Sequence, residues 1–141
     1  MKIFETIIIG AGSAGLFAAC FANKNTLVLE KQSAPGKKLL IAGSGRCNIT
    51  NSGDIRDFLE NYYESSRFLR HALFSFTNDD LVHFFNELGM KTITDKNGKI
   101  FPATERSSDV LNVLLQQAED KGVQFNYDQR VINVSVQDTI S

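Results

Sequence analysis

Gly10-Ala11-Gly12-Ser13-Ala14-Gly15 is the stretch of this chain whose residue types and spacing point most directly to chemistry. It matches GxGxxG. Between a strand and a helix, the first glycine permits the tight bend, the second lets a pyrophosphate approach the backbone, and the third lets helix and strand pack closely. The helix that follows presents unpaired N–H groups and a partial positive charge to the phosphates. Glu30 stands about twenty residues further on, where an acidic side chain accepts hydrogen bonds from ribose hydroxyls and repels a 2′-phosphate. Alone, the glycine pattern is weak, because a structural turn followed by a surface glutamate reads the same way.

The surrounding elements give the pattern its weight. Residues 2–9 form a short apolar run rich in isoleucine and bounded by glycine, which predicts a buried strand. Residues 13–24 carry Leu16, Phe17, Ala19, Cys20 and Ala22, dense enough for a helix buried over most of its surface. Residues 26–29 are again a short apolar run, closing at Glu30. Strand, glycine turn, helix, strand is a βαβ unit in the right order, and it predicts a dinucleotide site.

The glycine turn does not choose between NAD and FAD. Lys31, Gly36, Lys37 and Lys38 follow the ribose position and offer further phosphate or cofactor contacts, although a solvated basic loop reads equally well. From 31 to 51 the periodicity disappears, so this stretch reads as a loop with room for one short helical turn. Within it, Gly43-Ser44-Gly45-Arg46-Cys47-Asn48-Ile49-Thr50-Asn51 joins a freed backbone to an arginine fork and amide side chains. A loop of this kind suits the edge of a flavin ring.

These segments carry a resemblance. GAGSAG, LEK and GKKLLIAGSGRCNITN, with FFNELGMKTITDKNGKIFPATERSSDVLNVL downstream, resemble the BaiN-type NAD(P)/FAD-dependent oxidoreductases, also called aminoacetone-oxidase-like flavoproteins. The likeness runs along essentially the whole chain. It implies an α/β fold with a Rossmann-like FAD/NAD(P)-binding domain of the glutathione-reductase type. By position it implies Gly10, Gly12, Ser13, Ala14 and Gly15 at the pyrophosphate and Glu30 at the adenosine ribose. It implies Lys31 and Lys38 along the cofactor, and Gly45, Arg46, Cys47 and Asn48 on the flavin side. Val131 is the position implied to meet the adenine through its backbone. Ala42 and Ser44 depart from the SGGG usual in the family, without removing a needed donor.

The resemblance also implies hydride transfer through FAD with NAD(P)H as electron donor and a small molecule as substrate. No residue emerges as catalytic acid or base. Members of the family are longer, with an inserted second domain and a C-terminal segment that returns to complete the flavin site. Residues 1–141 are therefore expected to be the N-terminal portion of the FAD-binding domain, incomplete as a fold. A stop at Ser141 soon after a strand carries the same expectation. The rival expectation is a non-catalytic dinucleotide-binding module or a truncated product.

Further along, residues 54–76 predict one helix with Phe58, Leu59, Tyr62, Phe68, Leu69, Ala72 and Leu73 as its apolar face. Thr77 and Asp80 form a capping box for the next helix, whose stripe is Leu81, Phe84, Phe85 and Leu88, with Gly89 as its stop. Residues 91–95 and 99–101 flank Asn97-Gly98, a hairpin signature. Ser107 or Ser108 caps a helix to Lys121, carrying Val110, Leu111, Leu114, Leu115 and Ala118, and ended by Gly122. Residues 123–127 and 131–136 read as strands.

The totals narrow the classes. At 141 residues, 43% hydrophobic and 22% charged, the chain reads as one globular core. Fifteen basic against 16 acidic residues leave a net charge of −1, which makes no bulk-charge case for a nucleic-acid or membrane-surface partner. Cys20 and Cys47 form neither a disulfide framework nor a metal-ligand pattern and suit a reducing cytoplasm. Cys47 beside Arg46 invites a redox reading, but with no resolving cysteine near it in sequence a packing role is favoured. Cys20 is expected in the core, and His71 and His83 lie on helices without a partner constellation. The N-terminal apolar run is interrupted by Glu5 and by glycines, far short of the roughly 20 apolar residues of a membrane helix.

Overall fold

The computed structural model of the chain describes residues 2–136. In chain order the elements are β1 Thr6–Ile9, α1 Ser13–Ala19, β2 Thr26–Leu29 and α2 Lys37–Ile41, which runs into a 3₁₀ turn at Ala42–Gly45. There follow β3 Thr50–Asn51, α3 Ile55–Glu60, α4 Ser66–Ser75, α5 Asn78–Glu87, β4 Thr92–Thr94, β5 Lys99–Pro102, α6 Ser107–Asp120 and β6 Gln124–Asn126. The chain divides into two compact units, Met1–Lys38 with Leu114–Ser141, and Leu39–Val113.

The first unit holds a parallel sheet in the order β1-β2-β6, with Thr6 opposite Thr26 and Leu27 opposite Gln124. Strand β2 lies in the middle, and its Thr26, Leu27 and Val28 are buried on both faces, as a central parallel strand requires. Leu16, Ala19, Cys20, Leu114, Ala118 and Val123 complete this core. Cys20 is the core thiol expected of it: its Sγ donates to the carbonyls of Leu16 and Leu114, and burial pushes its pKa up to about 11.

Strand β1 departs from the buried strand expected. Ile7 and Ile9 are 55% and 60% exposed. Pleating sends Ile8 to the side covered by α1 and its neighbours to the other side, which nothing covers among the described residues. Helix α1 is also shorter than the expected 13–24. It ends with Cys20 as its C-cap, and Phe21 and Ala22 continue in tighter bonds to Ala18 and Ala19.

Residues 131–136 form no strand, contrary to expectation. The chain turns at Asp128 (φ +56°), where the Asp128 and Gln129 N–H groups donate to the Gln32 and Glu30 carbonyls. Beyond it Ile132, Val134 and Val136 are largely exposed and pair with nothing in the described ladders. Strand propensity alone does not make a strand; the segment must also pair with a neighbour, and this one does not. The end of the chain at Ser141 lies outside the described residues.

The second unit carries an antiparallel sheet in the order β3-β5-β4. Its β4–β5 hairpin turns through the four residues 95–98, with Gly98 left-handed at φ +80°. Asp95 Oδ1 accepts from the Asn97 and Lys99 N–H groups at 2.8 and 2.9 Å and closes the loop. The capping box of α5 forms as expected: Thr77 Oγ1 accepts from the Asp80 N–H, and Asp80 Oδ2 accepts from the Thr77 N–H at 2.8 Å. Gly89 ends this helix at φ +82°.

Two helical expectations change. Residues 54–76 are not one helix, because Asn61 Nδ2 bonds back to the Asp57 carbonyl and Tyr63 turns left-handed at φ +45°. The break resets the 3.6-residue phase, so Phe68 is 86% exposed while Leu59 is buried. Neither Ser107 nor Ser108 is an N-cap: α6 starts at Ser107 itself, whose hydroxyl donates to the Leu40 carbonyl at 2.7 Å. The expected loop at 31–51 also contains more structure than one turn, namely α2, the 3₁₀ turn and β3. Among the described residues no helix is long and apolar enough to cross a membrane.

Replacing Thr77 by Ala removes one half of the capping box and should cost about 1 kcal/mol, lowering the thermal midpoint by about 4 °C. Melting followed by circular dichroism measures this; an unchanged midpoint would show that α5 does not depend on its cap.

Candidate functional site

In the first unit the glycine turn is built as its sequence requires. Gly10 bends at φ +98° and donates its N–H to the Leu29 carbonyl at 2.8 Å, tying the turn to the end of β2. Gly15 is fixed by space: a Cβ there would overlap the Gly10 carbonyl oxygen and lie 3.3 Å from Ile8 Cγ2. Around Gly12 a Cβ would meet nothing within 4 Å, so the backbone is open to a ligand at that point. Gly12 is also the N-cap of α1, and no side chain caps the helix. The first-turn N–H groups of Ser13, Ala14 and Gly15 are thereby left for an anion.

Glu30 closes the turn. Its Oε2 accepts from the Ala11 N–H at 2.7 Å and its Oε1 from the Gln32 N–H at 2.8 Å. Ala11 is completely buried, and its carbonyl accepts from the Gly36 N–H at 2.8 Å. Glu30 is only 8% exposed. Burial raises its pKa, but the Ala11 and Gln32 N–H groups and the charge of Lys31 outweigh this and hold it below its ordinary 4.5. A carboxylate has about four acceptor positions, so two remain for ribose hydroxyls. The residues present therefore fit a dinucleotide: open backbone at Gly12, an uncapped helix start, and an ionised acceptor at the end of β2.

The other residues expected in this half lie in the same unit. Lys31 and Lys38 are exposed, and Lys37 Nζ donates to Gln32 Oε1 at 2.8 Å. Val131 is half-buried just past the turn that returns the chain to Glu30 and Gln32. Two partners were not visible in the sequence: Gly36, read only as part of a basic loop, and Gln32. Both act through backbone N–H groups, which no side-chain pattern reports.

Gly45, Arg46, Cys47 and Asn48 lie in the second unit. Their loop is held by the Arg46 and Cys47 N–H groups donating to the Gly43 and Ala42 carbonyls at 3.2 and 2.9 Å. Ser44 and Cys47 are left-handed at φ +57° and +58° although neither is glycine, so both positions carry strain. Cys47 is buried and burial raises its pKa, which favours packing over redox chemistry. Oriented to satisfy its neighbours, the Asn48 amide donates to the Thr50 and Ile100 carbonyls at 2.8 and 3.2 Å. Arg46 Nη1 pairs with Glu105 Oε1 at 2.9 Å, and its Cζ lies 4.4 Å from the centre of the Phe101 ring. Nothing in the sequence paired position 46 with 105. The histidines set aside stay so: His71 is exposed, and His83 Nε2 lies 3.0 Å from Glu87 Oε1 on the surface of α5.

The family description "HI0933-like protein Rossmann domain" matches residues 4–141. The chain belongs to the HI0933-like Rossmann-domain family. The expected fold class stands accordingly: a Rossmann-type α/β unit with a parallel sheet and helices. Among curated relatives, the chain is 29% identical over 143 residues to the ribosomal RNA dihydrouridine synthase of Escherichia coli K12, covering 99% of this chain and 35% of that protein. It is 32% identical over 129 residues to the 3-dehydro-bile acid delta(4,6)-reductase of Clostridium scindens, covering 88% of this chain and 31% of that one. The chain thus spans about a third of the length of these curated relatives. In structure it resembles the 3-ketosteroid-delta4-(5alpha)-dehydrogenase of Rhodococcus jostii RHA1, with a TM-score of 0.59 and 16% identity over 96% of this chain and 40% of that one. Thermovibrio ammonificans THI4 is also similar, at a TM-score of 0.56 and 14% identity over 89% of this chain and 39% of that one. At these identities the likeness is one of fold.

Because the pKa of Glu30 is lowered on folding, its contribution to stability is full above pH 4.5 and is lost as pH falls through the lowered value. Glu30→Gln, which loses one charged acceptor, should be less stable than the parent by about 2 kcal/mol at neutral pH. Denaturant titrations down the acid range should show that gap closing. A gap that stays constant into acid would contradict the ionised clamp.

Proposed function

We propose that this chain is the FAD-binding part of a BaiN-type flavin-dependent oxidoreductase. It works in the cytoplasm with NAD(P)H as electron donor and a small-molecule substrate. The observation that carries the reading is the glycine turn clamped by the ionised Glu30, with open backbone at Gly12. The GRCN loop, which resembles that family, turns the reading from a dinucleotide in general to FAD.

On this reading Gly12, Ser13, Ala14 and Gly15 hold the pyrophosphate through backbone N–H groups at the start of α1. Glu30 keeps two oxygens on the Ala11 and Gln32 amides and offers its remaining lone pairs to the adenosine ribose. A negative charge at that point also disfavours a ribose carrying a 2′-phosphate. Lys31 and Lys38 supply positive charge along the cofactor, and the backbone at Val131 meets the adenine. Gly45, Arg46, Cys47 and Asn48 stand at the flavin end, with the Arg46 fork donating to acceptor oxygens. The bound FAD supplies the hydride chemistry; the chain supplies binding and orientation. The two curated relatives are named for different substrates, ribosomal RNA and a bile acid, so the small-molecule reading is not narrowed to either name.

The test is to purify the chain in the presence of FAD. A yellow protein that releases flavin on denaturation is expected, and a well-folded, colourless product that ignores added FAD would overturn the reading. Glu30→Arg should weaken FAD retention by at least about tenfold, since it removes an ionised hydrogen-bond acceptor. Undiminished retention would mean that the ribose lies elsewhere.

A further inference from the structure

Strand β6 ends beside the carboxylate that clamps the glycine turn, within the same unit. The register that sets Val28 opposite Phe125 and Leu29 opposite Asn126 carries on to set Glu30 opposite Tyr127. Paired residues on neighbouring parallel strands point to the same face, and side chains alternate along each strand. Phe125 and Tyr127 therefore share one face of the sheet with Val28 and Glu30. The two rings are nearly parallel, 16° apart in plane with centres 6.3 Å apart. Phe125 lies nearer the start of the strand, so Tyr127 alone stands at its carboxyl end.

The backbone on both sides of Tyr127 is tied to β2 and the turn after it. The Glu30 N–H donates to the Asn126 carbonyl at 2.9 Å, and the Asp128 and Gln129 N–H groups donate to the Gln32 and Glu30 carbonyls at 3.0 and 2.8 Å. Yet the side chain held there is not absorbed by the core. Tyr127 is half-buried, and its hydroxyl has no hydrogen-bond partner among the described residues. Burial, and after it the charges of Glu119 and Glu30, raise its pKa, so the phenol is neutral at working pH. A neutral flat ring thus stands next to the ionised Glu30.

The order of the strands gives an order to the ligand. Ligands of open parallel sheets lie across the carboxyl ends of the strands. Here those ends follow as β1, β2 and β6, about 4.8 Å from one to the next. With pyrophosphate at the turn after β1 and ribose at Glu30, the direction of the dinucleotide is set. A ribose carries its phosphate on C5′ and its base on C1′, so the base comes beyond Glu30, at the end of β6. We propose that the Tyr127 ring packs against the face of the adenine of the bound dinucleotide. The inference rests on the FAD reading above. Tyr127 then covers a face of the base and the backbone at Val131 meets its edge, so the ring supplies contact area and the backbone supplies the choice of base.

The experiment measures ADP and FAD affinity by calorimetry for the parent chain, Tyr127→Phe and Tyr127→Leu, with proton NMR of the Tyr127 ring in the parent. Tyr127→Leu keeps apolar bulk but loses the flat ring, and should weaken ADP and FAD alike by about tenfold, the size expected of one base on one aromatic ring. Tyr127→Phe keeps the ring and should retain the affinity for both. In the parent, the Tyr127 ring protons should shift when ADP is added and stay in place with inorganic pyrophosphate, which has no base. Undiminished ADP binding in Tyr127→Leu overturns the proposal. So do ring protons that stay unmoved at saturating ADP, or that move as far with pyrophosphate, whatever Tyr127→Leu does to folding. A parent chain that binds neither ADP nor FAD overturns the FAD reading itself, whereas a parent that binds both and shows one of the contrary results overturns the role of Tyr127 alone.

Discussion

The hydrogen bond from the Ala11 amide to the Glu30 carboxylate, 2.7 Å long and shut away from water, is the constraint on which the first unit depends. It joins the two ends of the βαβ unit that matter for a ligand: the turn after β1 and the end of β2. Hydrogen bonds to a charged group contribute about 1.5–3 kcal/mol each, and this carboxylate accepts two from backbone N–H groups. Gly36 completes the arrangement by donating to the Ala11 carbonyl, so one fully buried alanine is held through both of its polar backbone atoms. The turn that would receive phosphates is therefore set before any ligand arrives. Preorganisation of that kind lowers the cost of binding, because the loop need not be ordered on arrival.

The second unit uses a different device. Its loop from Ala42 to Asn48 is shaped by left-handed residues, two of which carry side chains, and is held to β5 by the Asn48 amide and the Ile49 N–H. Strain of this sort persists only where the surroundings over-determine it, and it concentrates where a chain is shaped for a ligand. Phe101 supplies the fixed surface and Arg46 the exposed chemistry above it. Backbone geometry prepares both candidate regions, through hydrogen-bonded amides in one and strained turns in the other.

What the sequence revealed follows from the range of the interactions involved. The βαβ unit, the capping box at Thr77 and Asp80, and the hairpin around Gly98 are governed by neighbours within a few residues, and each was legible. Gly15 was legible for the same reason, since its contact with the Gly10 carbonyl is built into the turn. The burial of β1 was not, because exposure of Ile7 and Ile9 depends on what lies over the far face of the sheet. The strand expected at 131–136 failed likewise: its side-chain pattern suits a sheet, but a strand exists only where its backbone pairs with a neighbour, which a side-chain pattern does not report. Asn61 and Tyr63 broke a helix through a side-chain bond and a left-handed residue that apolar periodicity does not register. The Arg46–Glu105 pair joins positions far apart in the chain, which a single sequence cannot bring together.

The central claim is that the backbone N–H groups from Gly12 to Gly15, held in place by Glu30 through the Ala11 amide, form the phosphate-binding surface for FAD. Titration of FAD into isotope-labelled protein, followed amide by amide in nitrogen–proton NMR spectra, tests it most directly. The account predicts saturable shifts at Gly12, Ser13, Ala14 and Gly15, accompanied by Ala11 and Gln32 as Glu30 takes up the ribose. Shifts confined to other parts of the chain, with these six amides unmoved at saturating FAD, would contradict it.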